Sequence, residues 1–442
     1  MAVYPLLITT APQTDPGLPH TTAINDVTDL QNMNIDKAGN YYLTGNIDAS
    51  ITSTWNAGAG FIPVGNSGDY FTGTLDGCGY TISDLFINRN TNGQGLFGFV
   101  APLARIANVT LSNVNITGGG YWCGALAAYV KSSEVGDILI QNCHASGAIK
   151  SYGSFMGYYG GVVGQILRQS AHVSGTTYVY DCDSSCTLDM NGVTNYSYRG
   201  GFVGLVSYAA FKNCFATGSL INGGAADSGQ GLGGFAGSVG NDVTFSYCHA
   251  AGDVEGGDGR FFGGFVGHSG LSDVRTYSSC YATGDVTGNK EVGGFAGVGN
   301  AEYDTAIFEN CYARGHAEAT GTGYAGGFAG TATDPGNIFT NCYSTGAATG
   351  AAGVGGFIGQ AAVMLTCTSC YWDKEASGNL TTSQNKGLGK ITKWFRKKSH
   401  FTGWDFVNVW YMPDFGKQIV MGKPRSSYPV NCPHTSQRNV YV

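Results

Sequence analysis

The phrase Gly-Gly-Phe-x-Gly, followed about fifteen residues later by (Asn/Ser/Tyr)-Cys-(aromatic/His)-(Ala/Ser)-x-Gly, recurs down most of the chain. The Gly-Gly pairs begin at Gly160, Gly200, Gly233, Gly263, Gly293, Gly326 and Gly355, so they lie 40, 33, 30, 30, 33 and 29 residues apart. The matching cysteines are Cys143, Cys182, Cys214, Cys248, Cys280, Cys311, Cys342 and Cys370. Repeats of this length, punctuated by glycine and built from short β-type runs, specify a solenoid. One such unit cannot bury its own apolar face and must stack on a neighbour.

A repeat array grows by adding coils to one continuous core, so 442 residues are read as one long domain rather than as two or three. Hydrophobic residues make up 43% of the chain, which excludes a disordered polymer. Charged residues are only 12%. The surface must therefore be Asn, Ser, Thr, Gly and Tyr, which suits work outside a cytosol. Charge is also uneven: residues 373–442 carry 11 Lys+Arg against 4 Asp+Glu, and residues 1–372 carry 12 against 26. A basic end could dock on a polyanion or an acidic neighbour, or simply be a solvated cap.

No run of apolar residues is long enough to span a membrane. The opening Met-Ala-Val-Tyr-Pro-Leu-Leu-Ile lacks the basic and apolar regions of a secretory signal, so the expectation is either that a signal has been removed or that the chain reaches the outside by another route, of which release within a virus particle is one.

Of the 13 cysteines, eight occupy one column of the repeat. In-register stacking sets consecutive members about 4.8 Å apart with parallel side-chain vectors, wider than a disulfide wants. A reduced, buried thiol ladder is expected. Cys367 falls in the column of Phe211, Phe245, Phe308 and Phe339, and Cys186 fills the Gly column, so both read as core substitutions rather than metal or redox thiols.

Along the chain, residues 1–23 read as an extended, Pro-rich N-terminal arm, 24–371 as the coils, and 372–442 as a basic C-terminal cap. A short helix over Thr28–Met33 is expected to cover the first coil, which would otherwise expose an unpaired strand edge. The run Ile106–Ile116 alternates as a half-buried strand should.

The series Asp76-Gly-Cys-Gly-Tyr-Thr-Ile82, Gly95-Leu-Phe-Gly98, Asn113-Val-Asn-Ile-Thr117, the repeated GGFxG and NCYATG phrases, and Phe401-Thr-Gly-Trp-Asp-Phe-Val-Asn-Val-Trp410 resembles the GLUG-motif repeat proteins of bacterial surfaces and phages. The resemblance covers roughly residues 24–412. It implies a right-handed parallel β-helix with a role in adhesion or surface display, and no activity. Some members of that family carry a metallopeptidase domain, but no His-Glu-x-x-His is present here.

Numbering from each cysteine, positions 0, 2, 4 and 6 are small or aliphatic and face inward, so positions 1, 3 and 5 face out. Position 1 reads His144, Asp183, Phe215, His249, Tyr281, Tyr312, Tyr343, Tyr371, and position 3 is mostly Ser or Thr. An external stripe of stacked rings flanked by hydroxyls follows, spanning roughly 34 Å. Phe215, His249, Tyr281, Tyr312, Tyr343 and Tyr371 are the candidate ligand-binding residues, because ring faces beside hydroxyls suit the C–H faces of a linear glycan. The same stripe would serve equally as a stabilising stack or a subunit contact.

Position 5 places Asp253, Asp285 and His316 in adjacent coils on one outward face. Two carboxylates at ladder spacing repel unless a proton or cation intervenes, so Ca2+ or an acid/base pair is the alternative to plain exposure. No other cofactor is expected. Gly387-Leu-Gly-Lys-Ile-Thr392 has Gln384 where a phosphate loop needs its first glycine, and the basic run Lys393–Lys398 is explained by a cap beside an acidic body, so nucleic acid is not an expected partner.

The expectation is thus an all-β, right-handed parallel β-helix of about ten coils. It would be a non-catalytic adhesin, receptor-binding or fibre component of a phage virion or bacterial surface, bound to a surface glycan or cell-surface receptor. The N-terminal arm would meet virion or fibre subunits. The alternatives are a tailspike-like glycosidase or lyase, and a purely structural filament or trimer, which would make the chain a homo-oligomer.

Overall fold

The computed structural model describes residues 18–421 apart from 133–135, 152–156, 169–174, 191–196, 222–230, 271–273, 299–304, 379–385 and 413–418. The periodic phrase becomes a parallel β-solenoid. Among the described residues one sheet stacks twelve strands, from Thr22–Ile24 through Val243–Ser246 to Thr366–Thr368. The Gly-Gly strands form a second sheet of eight, from Trp122–Gly124 to Val354–Gly355. Strands that follow each cysteine make a further face, on which the candidate site lies.

Register is kept residue for residue, as the repeat requires: Phe211 pairs with Phe245, Phe245 with Tyr277, and Tyr277 with Phe308. Two files of buried rings result. Phe202, Phe235, Phe265, Phe295 and Phe328 stack at 4.8 to 4.9 Å between centroids. Phe211, Phe245, Tyr277, Phe308 and Phe339 stack at 4.7 to 5.2 Å. Each file meets the other edge-on, as between Phe245 and Phe265 at 88°. Stacking along the axis and edge contacts across it are both favoured ring geometries, each adding about 0.5–1.5 kcal/mol per pair beyond burial.

The paired glycines have a reason in this cross-section. A Cβ on Gly264 would sit 2.2 Å from the Gly294 carbonyl oxygen of the next coil and 3.0 Å from Ala282 Cβ, so the glycine and the Cys-x-Ala column define a place where the walls touch. The residue before each cysteine turns the chain in the left-handed region, with φ of 49° at Asn142, 54° at Asn213 and 53° at Asn341. Asparagine tolerates that conformation, and its amide ladders onto the coil before, as Asn142 Nδ2 does by donating to Asn108 Oδ1 at 2.8 Å.

The eight cysteines of the ladder form no disulfide, as the column spacing predicts. Thiols of the ladder donate to the carbonyl two residues back, at 3.4 Å for Cys248 and 3.3 Å for Cys342. Cys367 stands opposite Phe339 in register.

At the N-terminal end the helix Val27–Asn32 is capped by Asp26, whose side chain accepts from the amides of Thr28 and Asp29, and it buries Val27 and Leu30. Thr22–Ile24 already pairs with Asn40–Leu43, so the solenoid starts just before residue 24. The expected arm falls largely on residues 1–17, outside the described residues. At the other end the boundary at 371 is corrected: Leu388–Lys390 pairs parallel with Tyr371–Asp373 and extends the stack. The glycine-rich stretch before Thr392 is therefore a rung of the solenoid.

Candidate functional site

Rings at position 1 do form a file outside the coils. Centroids lie 4.9 Å apart for Phe215 and His249, 4.6 Å for His249 and Tyr281, 4.8 Å for Tyr281 and Tyr312, and 5.0 Å for Tyr312 and Tyr343, with planes within 9° of parallel. The file begins as a polar pair, because His144 Nδ1 bonds the Asp183 carboxylate in the two preceding coils. That bond holds the His144 imidazole above its ordinary pKa against the opposing effect of burial.

Exposure of the whole stripe is corrected. Phe215, His249 and Tyr281 are half-buried, whereas Tyr312, Tyr343 and Tyr371 are 4%, 0% and 7% exposed. The C-terminal segment folds back over them: Phe395, Phe401, Trp404, Trp410 and Ile419 join the three tyrosines in a second apolar cluster, separate from the solenoid core. Tyr371 meets Trp394 at 4.5 Å and Tyr343 meets Trp410 at 5.8 Å between centroids. Tyr343 Oη donates to the Ile419 carbonyl at 2.6 Å, and burial pushes its phenol up to about 12. The physical reason is the apolar effect itself: a flat row of rings next to three tryptophans and two phenylalanines is covered rather than left wet.

Asp253, Asp285 and His316 do lie in successive coils, but they do not converge. Asp253 Oδ1 accepts from the Asp285 amide at 2.8 Å and Asp285 Oδ1 from the His316 amide at 2.7 Å, so each carboxylate serves the backbone of the next coil. His316 Nε2 instead meets Thr349 Oγ1 at 3.0 Å. The three do not form a metal-ligating group among the described residues.

Two features escaped the sequence reading. An open groove of about 410 Å³ lies at the N-terminal end of the cysteine face, lined by Ser50, Ser53, Asp84, Asn113, Asn115 and Lys150 among others. The strand His144–Ser151 carries both His144 of the file and Gly147, Ala148 and Lys150 of the groove wall, so the two features share one face. Ser50 and Ser53 come from a segment of 3-10 turns, Ser50–Gly58, that lies outside the repeat and so carried no periodic signal. The second feature is a group of His20, Asp76 and Cys78 whose donor atoms all lie within 4.8 Å of one another. His20 and Asp76 are 56 residues apart, and no spacing rule joins them.

The geometry defines a capped parallel β-solenoid with one polar and aromatic outer face, partly roofed by its own C-terminal segment. No family model matches the chain. A stretch of 120 residues, 25% of the chain, is 43% identical to halomucin of Haloquadratum walsbyi, and the match spans 1% of that protein. Among solved structures, a Bacteroides ovatus protein assigned by name as an immunoglobulin A1 protease superposes with a TM-score of 0.42 at 18% identity, over 90% of this chain and 91% of the other. A further IgA1 protease gives 0.42 at 12% identity, over 95% of this chain and 26% of that one. Likeness at that level bears on neither activity nor substrate. Among the described residues no helix is long and apolar enough to cross a membrane.

Proposed function

We propose that this chain is a non-catalytic surface protein that binds a linear glycan along the uncovered part of its cysteine face. The observation that carries the reading is the file Phe215, His249 and Tyr281, stacked and half-buried, which runs out from the edge of the cap at Tyr281 on the face that also holds the Ser50–Lys150 groove. Aromatic faces give a sugar ring its apolar contacts, and the serine, asparagine and aspartate side chains of the groove give its hydroxyls partners. The stretch shared with halomucin, a mucin by name, supports an extracellular setting. Membership of the GLUG-motif repeat proteins, and display on a virion or bacterial surface, belong to the same proposal.

Calorimetry of the full chain against a panel of neutral, acidic and amino-bearing linear polysaccharides tests it. Binding to at least one is expected, with a loss of roughly tenfold or more in a Phe215→Ala, His249→Ala double variant. The absence of any binding, or equal binding by the double variant, overturns the reading. Reducing-end release from a bound polysaccharide would replace it with the glycosidase or lyase alternative.

A further inference from the structure

We propose that His20, Asp76 and Cys78 form a binding site for a divalent transition ion of the zinc class, which ties the N-terminal lead to the third coil of the solenoid. The group offers one imidazole nitrogen, one carboxylate oxygen and one sulfur within 4.8 Å of one another. That mixed donor set suits zinc, an ion of intermediate softness, and does not suit calcium or magnesium, which take oxygen ligands. Three protein ligands leave a fourth tetrahedral position open to water.

The surroundings orient the donors. Asp76 is 4% exposed. Its Oδ1 is fixed by the Cys78 amide at 2.8 Å and by Asn108 Nδ2 at 3.0 Å, which leaves Oδ2 for His20 Nε2 at 2.8 Å. Carboxylates held in this way from behind are the usual support of a metal ligand. The turn that presents the thiol is tight: Cys78 itself has φ of 50°, and a Cβ on Gly77 would sit 2.1 Å from the Asn108 carbonyl oxygen. His20 is stacked on Tyr42 at 4.7 Å, which restricts its ring plane. Ligand atoms on a tetrahedral zinc, with bonds of about 2.0 Å to nitrogen or oxygen and about 2.3 Å to sulfur, stand roughly 3.3–3.7 Å apart. Closure on an ion therefore asks only a small opening of the His20–Asp76 pair and a small approach of the thiol, which loses its proton to solvent on binding. Cys78 and His20 are reachable from solvent, so the ion has an entry path.

The full chain is titrated with zinc by calorimetry and with cobalt by absorption. One equivalent is expected to bind, cobalt giving the intense visible bands of a tetrahedral ion and a thiolate charge-transfer band. His20→Gln and Cys78→Ser should each weaken zinc binding by roughly tenfold or more, and Cys78→Ser alone should remove the charge-transfer band. Cys367→Ser, at the other partly exposed described thiol, should change neither. Circular dichroism of each variant confirms that the solenoid is intact. Less than one equivalent bound, unchanged affinity in both ligand variants, or a charge-transfer band that disappears with Cys367 overturns the proposal.

Discussion

Tyr343 and Ile419, 76 residues apart, are joined by a hydrogen bond of 2.6 Å from the tyrosine hydroxyl to the isoleucine carbonyl, and Arg314 Nη2 donates to the same hydroxyl at 3.0 Å. The bond is where the C-terminal segment locks onto the solenoid. A side chain that the repeat places on the outer face is 0% exposed because of it and its apolar neighbours.

Tyr343→Phe keeps the ring and removes the hydroxyl from a buried carbonyl and guanidinium, so the cap should lose about 1–2 kcal/mol. Tyr343→Ala also removes the ring from the cluster and should cost about 3–5 kcal/mol. Urea unfolding followed by the fluorescence of Trp394, Trp404 and Trp410 reads the cap directly. An unchanged midpoint in Tyr343→Ala would mean that the cap does not rest on this ring.

Gly264→Ala forces a methyl group to 2.2 Å from a backbone oxygen of the adjoining coil, where no side chain can give way. Destabilisation of about 1–3 kcal/mol or more is expected. Gly45→Ala is the control, because nothing lies within 4 Å of its added carbon and its φ is not in the left-handed region. That change should be neutral or stabilise by about 0.4–1 kcal/mol. Similar melting of the two variants would show that the close approach of walls is not needed.

His268 packs against Phe261 at 5.0 Å and its Nδ1 lies 3.3 Å from Ser238 Oγ. Burial first, then the charges of Arg275 and Arg260, bring its pKa down to about 4. Above pH ~6.5 the imidazole is neutral in both folded and unfolded chains and adds no pH dependence. Below that value the unfolded chain takes a proton that the folded site refuses, so stability falls until about pH 4, by about 2–3 kcal/mol. His144 runs the other way. Its raised pKa gives a contribution present below pH ~6.5 and lost as pH rises through the folded value. Comparing wild type with His268→Gln between pH 7 and 4.5 isolates the first effect, since His144 is common to both. Equal acid sensitivity of the two chains would refute it.

Ten of the described cysteines are buried and two, Cys78 and Cys367, are partly exposed. Burial pushes the thiols of Cys280, Cys311 and Cys342 up, and a hydrogen bond with Cys370 does so at Cys367, whereas at Cys143 and Cys248 hydrogen bonds within the ladder outweigh burial and bring the thiol down, so that only their burial protects them. Among the described cysteines of the native chain a maleimide should therefore label Cys78 first, Cys367 more slowly, and the ladder only on unfolding. Peptide mapping reads the order. Early labelling of Cys248 or Cys311 would show that the coils open locally.

Sequence was most informative where each coil repeats its neighbour. Gly264 announces its close contact because Gly234 and Gly294 announce the same one, and Asn213 announces its turn because Asn142 and Asn341 do. The solenoid, the thiol ladder and the ring file through Tyr281 were legible in this way, since stacking one coil on the next turns spacing along the chain directly into contact. Position 5 was legible only as an address. Asp253 and Asp285 stand in adjacent coils as expected, but their carboxylates are turned to backbone amides, a choice of rotamer and partner that no column records.

What tertiary structure alone decided is of a different kind: Phe395, Phe401, Trp404, Trp410 and Ile419 roof over Tyr312, Tyr343 and Tyr371, and His20 meets Asp76 and Cys78. These contacts join the non-repeating ends to the repeating body and occur once each. A pattern that appears once has no second copy against which its spacing can be read, and burial of an exposed ring row depends on which apolar segment reaches it in space. The periodic part of the chain thus declared its own architecture, and the folding of its two ends settled which part of the outer face stays open.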